Sequence, residues 1–297
     1  MADLKKTFTN KIKLDSGSLN VYTEGSGSVT IVFMAGNGVT SPVLEYKPIY
    51  RRMSGKYRIA VIEKAGYGFS DSMTTPRTIE NLVGDDREAL RKAGVEPPYV
   101  LAAHSYSGLE AVYWANTYPD EVKALLSMDM GIPDYAILQA EEVSDEKRDR
   151  MLQKYHKLLK LIAKDGIIAK IAKNKAENSS GLLTGNELTD EEKVLYRELF
   201  YRNIANREYV EESRQMTNNA QKAIDTGVLK CPSCFFISDM KGMSKKISWR
   251  QAGLDYAKKC GGEVHLSDKG HMMYARIPDE MSAAFDKFLE AHGIGVQ

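Results

Sequence analysis

The reactive chemistry of this chain centres on Tyr99-Val100-Leu101-Ala102-Ala103-His104-Ser105-Tyr106-Ser107-Gly108, an apolar run of β type that breaks at a serine and resumes as an amphipathic helix. A serine on a tight strand-to-helix turn has its oxygen pushed clear of the sheet, and its neighbours must be small because the turn is strained. Ala103 and Ser107 flank Ser105 at the required spacing, an A-x-S-x-S version of the usual G-x-S-x-G, with Gly108 one place late. Ser105 is therefore the candidate nucleophile. A serine hydroxyl needs a base to take its proton, and on an elbow of this kind the chain order is nucleophile, acid, histidine. The chain has five histidines. His104 adjoins the serine and is expected on the opposite side of the turn. His156 lies in a charged helical stretch, His265 in a short strand and His292 at the end of the last helix. His271 follows a late strand and Gly270 in a loop, and precedes the final helix, so it is the histidine placed to reach Ser105 over the top of a sheet. Two aspartates end successive strands and could orient it, Asp129 and Asp239.

These groups need strands that end at one edge of a sheet, and the pattern supplies them. Leu19–Tyr22 and Val29–Ala35 read as strands separated by Glu24-Gly25-Ser26-Gly27-Ser28, and Arg58–Lys64, Tyr99–Ser105 and Lys123–Asp129 read as further strands. Between them, a helix is expected from Pro42 to Gly55, with Tyr46, Ile49, Tyr50 and Met53 on one face. Another is expected from the cap Thr78 to Gly94, and a third from the elbow to before Pro119. Strand–helix alternation implies a mostly parallel sheet with helices on both faces. From Pro133 to Thr226 no convincing strand appears. Charged helical stretches dominate there, with Met151, Tyr155, Leu158, Leu159 and Ile162 at helical spacing, a loop marked by Ser179-Ser180-Gly181, and a helix start at Thr189. The α/β pattern returns with Cys234–Ser238, a helix near Ser244–Lys259, the strand Glu263–Leu266 and a helix opened by Pro278. The expected organisation is a core of residues 1–132 and 227–297 with a helical cap, 133–226, inserted over the sheet.

At 297 residues the chain can bury a substantial core. Lys+Arg 41 against Asp+Glu 40 gives a net charge of +1, so no basic field invites nucleic acid. The polar start Met1-Ala2-Asp3-Leu4-Lys5-Lys6 and the lack of a long apolar run predict a cytoplasmic protein with no membrane span. Three cysteines suit a reducing compartment. Gly36-Asn37-Gly38 lacks the third glycine of a dinucleotide fingerprint, and Cys231-Pro232-Ser233-Cys234 leads into a strand with no second cysteine pair, so neither cofactor nor metal is expected. No oligomeric state is read from the sequence.

Four segments in order make the chain resemble a lidded α/β-hydrolase: Ala35-Gly36-Asn37, Gly66-Tyr67-Gly68-Phe69-Ser70, Ala103-His104-Ser105-Tyr106-Ser107-Gly108 and Gly270-His271. The departures are Ala35 for a common histidine, and Ala103 and Ser107 for glycines. The resemblance implies an oxyanion hole made by the backbone N–H groups of Asn37 and Tyr106. It also bears on the acid. Many members carry it after the strand that precedes Asp239, three residues beyond a glycine, where this chain has Gly242, whereas some lidded members carry it at the earlier strand end, where Asp129 stands. Asp129 is therefore the expected acid. The expected activity is cofactor-independent hydrolysis of a small-molecule acyl substrate, an ester first, with amide, peptide, thioester or lactone cleavage as alternatives on the same triad. A non-catalytic ligand receptor is the rival from another class.

Overall fold

The computed structural model describes residues 2–163, 180–204, 206–240, 242 and 244–295; residues 164–179, which include Ser179 and part of the expected cap, lie outside them. Eight strands form one sheet: β1 (Lys11–Leu14), β2 (Gly17–Glu24), β3 (Thr30–Met34), β4 (Arg58–Glu63), β5 (Tyr99–Ser105), β6 (Val122–Met130), β7 (Ser233–Ile237) and β8 (Glu263–Leu266). Their spatial order is β1-β2-β4-β3-β5-β6-β7-β8. β1–β2 and β2–β4 pair antiparallel, and every later pair is parallel. All seven residues of β5 are buried, as expected of a central strand covered on both faces.

Eleven helices are described: α1 (Ala2–Phe8), α2 (Pro42–Glu45), α3 (Lys47–Met53), α4 (Ile79–Lys92), α5 (Ser107–Thr117), α6 (Pro133–Glu141), α7 (Asp145–Ala163), α8 (Asp190–Asn203), α9 (Arg207–Asp225), α10 (Trp249–Cys260) and α11 (Pro278–Ala291). Alternate residues of the strands feed two cores. Phe33, Val61, Ala102 and Phe236 join α3, α8 and α11 on one face. Val32, Ile62, Leu101 and Ala103 join α4, α5 and α10 on the other. Between β6 and β7 the described residues form α6 to α9 and no strand. Thr189 and Glu192 open α8 with a reciprocal capping box.

Four elements differ from the sequence expectation. The helix expected across Pro42–Gly55 is broken at Tyr46, because Pro48 has no N–H to continue the ladder; the fully buried Tyr46 ring packs on Phe33 and Tyr274. The helix expected near Ser244 starts at Trp249, with Ser248 as its cap, accepting from Gln251 N–H at 3.1 Å. β1 and α1 carried no sequence signal: β1 alternates Lys with apolar residues, and only Leu14 of it is buried, as suits a charged edge strand.

Candidate active site

β5 ends on Ser105 with φ +54°, and α5 begins two residues later. The left-handed backbone costs a non-glycine residue of order 1–3 kcal/mol and is held by its surroundings. Gly131 N–H donates to the Ser105 carbonyl at 2.5 Å, where the β5–β6 register slips. Gly36 passes so close that a Cβ on it would lie 2.5 Å from that of Ser105, and one on Gly108 would lie 2.4 Å from the Gly131 carbonyl. These contacts leave no room for a side chain at positions 36 and 108. Ser107, in place of a glycine, braces the turn: its Oγ accepts from His104 N–H at 3.0 Å and lies 2.9 Å from the Met34 carbonyl and 2.8 Å from that of His104, either of which can take its one proton.

Asp129, near the end of β6, is the second non-glycine residue with positive φ, +59°. Its carboxylate is 1% exposed, and four donors reach it. Ser238 N–H and Trp249 Nε1–H donate to Oδ1 at 2.8 and 2.9 Å, and Ser238 Oγ–H donates to Oδ2 at 2.7 Å. The fourth is His271, whose Nδ1 lies 2.6 Å from Oδ2. Four charge-assisted bonds offset the desolvation of a buried carboxylate. With a carboxylate on Nδ1, that nitrogen carries the proton and Nε2 keeps its lone pair, the tautomer a base requires. The imidazole is walled by Trp249, at 5.4 Å and 85°, and by His104, at 4.6 Å and 36°.

His104 thus lies against His271 rather than across the turn from the site. Burial, and then the neighbouring His271, push its pKa well below the usual histidine value, so it stays neutral. Asp239, the other candidate acid, is exposed; the residue after β7 that reaches Asp129 is Ser238. Sequence reasoning missed Ser238 and Trp249. A serine closing an apolar strand and a lone tryptophan opening a helix gave no signal that both donate to one carboxylate.

Asn37 and Tyr106 line a common cavity of about 20 Å³, with Lys64, Glu110 and Glu212 among its walls. That is room for about one water. Elsewhere, at the β7–β8 edge, the ligand-type atoms of Cys234, Glu263 and His265 lie within 4.8 Å of one another. His265 and Glu263 already bond each other at 2.7 Å, and burial pushes the Cys234 thiol up, away from the thiolate a metal needs.

No protein-family model matches the chain. Over 215 residues it is 36% identical to the uncharacterized protein YbdG of Bacillus subtilis, covering 72% of this chain and 63% of that protein. A Pseudomonas aeruginosa mutant structure, provisionally assigned as an epoxide hydrolase, superposes with TM-score 0.72 at 18% identity over 97% of both chains. A thermophilic esterase of Thermogutta terrifontis superposes with TM-score 0.65 at 16% identity, over 96% of this chain and 99% of that one. The chain has the α/β-hydrolase fold. It spans 63% and 60% of the lengths of the first two curated relatives it matches. Among the described residues no helix is long and apolar enough to cross a membrane.

Proposed function

We propose that the protein is a serine hydrolase that cleaves an ester-type acyl bond of a small molecule. The observation that carries the reading is the 2.6 Å contact between Asp129 and His271, whose ring lies 4.6 Å from that of His104, the residue before the strained Ser105 turn. Ser105 Oγ attacks the acyl carbon while His271 Nε2 takes its proton. The carbonyl electrons move onto oxygen, where the N–H groups of Asn37 and Tyr106 receive the charge, each donor contributing about 3–4 kcal/mol to the transition state. Collapse expels the alcohol with the proton from His271 and leaves an acyl-serine. Water, deprotonated by His271, releases the acid and restores Ser105. Asp129 keeps the imidazole in the right tautomer and offsets the charge of the imidazolium.

Epoxide hydrolysis fits these residues poorly, although one superposed structure carries that assignment. A serine opening an epoxide forms an alkyl ether, which has no carbonyl for water to attack. The helices of 133–226 are read as a cap that sets substrate size over the cytoplasmic enzyme's site.

The test is a panel of p-nitrophenyl esters of rising acyl length. Steady nitrophenol release by the wild type, lost in Ser105→Ala, is expected. Release no faster than Ser105→Ala at every length would overturn the reading in favour of a binding protein.

A further inference from the structure

The helical insertion meets the core through a polar stripe on α9 in which Glu208, Glu212 and Asn219 are buried. Glu212 enters between two buried core cations. Arg77 Nη2 donates to its Oε1 at 2.9 Å and Lys64 Nζ to its Oε2 at 3.3 Å, while Lys64 also donates to Glu110 at 2.8 Å. Burial alone would raise the Glu212 pKa, but Lys64 and Arg77 hold it below the usual glutamate value, so the group is charged.

The Tyr67 hydroxyl, on the loop after β4, sits at the junction. It lies 3.1 Å from Glu212 Oε2 and 3.4 Å from Asn37 Oδ1, and it accepts Gly38 N–H at 3.1 Å. One hydroxyl proton cannot serve both oxygens, and the nearer, charged Glu212 takes it. That choice turns the lone pairs of Tyr67 toward Gly38 N–H and pins the peptide that leaves Asn37. A second tie from the same helix holds the Asn37 side chain, whose Nδ2 donates to Ser213 Oγ at 3.0 Å and to the Tyr209 carbonyl at 3.4 Å.

We propose that Glu212, acting through Tyr67, is a positioning residue for the oxyanion loop, so that the insertion completes the transition-state site of the core as well as covering it. This inference rests on the serine-hydrolase reading. Hydrogen bonds weaken steeply with angle, and an oxyanion donor is engaged fully only in the transition state. Loosening the loop therefore lowers kcat and leaves KM nearly unchanged.

The experiment compares full-length wild type, Tyr67→Phe, Glu212→Gln, the double variant and Ser105→Ala, by ester kinetics and by the rate of fluorophosphonate labelling. Tyr67→Phe keeps the ring and removes the hydroxyl. Its kcat and labelling rate should fall about 10-fold or more, with KM within about twofold. Glu212→Gln should show the same split, and the double variant should be no slower than Tyr67→Phe, because the two act in series. Wild-type kcat in Tyr67→Phe would overturn the inference, as would independent, multiplying losses in the double variant. If Glu212→Gln does not fold, Tyr67→Phe decides alone. Absence of wild-type labelling at Ser105 would overturn the underlying reading as well, and is distinguishable because it precedes any comparison of variants.

Discussion

Asp129 is a carboxylate where water scarcely reaches, and it is tolerated there because Ser238, Trp249 and His271 supply all its donors. In the proposed reaction only the His271 bond changes its worth as the imidazole charges. Asp129→Asn should therefore lower turnover by about 10⁴ while the protein stays folded, since an amide cannot hold the required tautomer. Asp239→Asn, at an exposed position, should leave turnover within about twofold. Steady-state kinetics on both variants check this, and the opposite ranking would exchange their roles. The pairing of Asp129 with His271 and the strained turn at Ser105 were legible because each of these residues stands at a strand end or in a loop where its type is out of keeping with the apolar run beside it, and the choice of Asp129 over Asp239 came from the resemblance. Ser238 and Trp249 were not, because a serine closing an apolar strand and a tryptophan opening a helix are ordinary there, and neither residue type points to a buried carboxylate elsewhere in the chain.

The elbow, an element of strand, turn and helix, departs from the common glycine pattern and yet is braced by that departure. Ser107 accepts His104 N–H inside a buried turn, so Ser107→Ala would leave a donor without its partner. A loss of about 1–3 kcal/mol in urea unfolding is expected. A loss under about 0.5 kcal/mol would mean the hydroxyl does not support the turn. The regular elements were legible where apolar periodicity was strong: β3 to β7 and α4 stand close to where the pattern predicts them. The break at Tyr46, the late start of α10 and the edge strand β1 were hidden. The first depends on a proline that has no N–H to donate, the second on which serine caps the helix, and the last on lysines that look like surface.

At the scale of the molecule, the sheet's antiparallel side is sewn to its parallel side by one buried carboxylate. Glu63, at the end of β4, accepts from Phe69 N–H at 2.6 Å, Val43 N–H at 3.2 Å and Asn20 Nδ2 at 3.0 Å. Burial pushes its pKa up to about 7, against the pull of those donors. The folded state then holds this proton more tightly than the unfolded chain does. Glu63 contributes stability that is fully present below about pH 4.5 and is lost as pH rises through about 7, a difference of roughly 3 kcal/mol. Urea unfolding at pH 5 and pH 8 should show wild type losing stability relative to Glu63→Gln over that interval; parallel curves would contradict the assignment.

The activation proposed for the Ser105 hydroxyl is tested, without assuming a substrate, by intact-protein mass spectrometry after treatment with a fluorophosphonate. One adduct is predicted, on the peptide that carries Ser105, formed by the wild type and absent from Ser105→Ala. An adduct that persists in Ser105→Ala, or a wild type that stays unmodified, would contradict it.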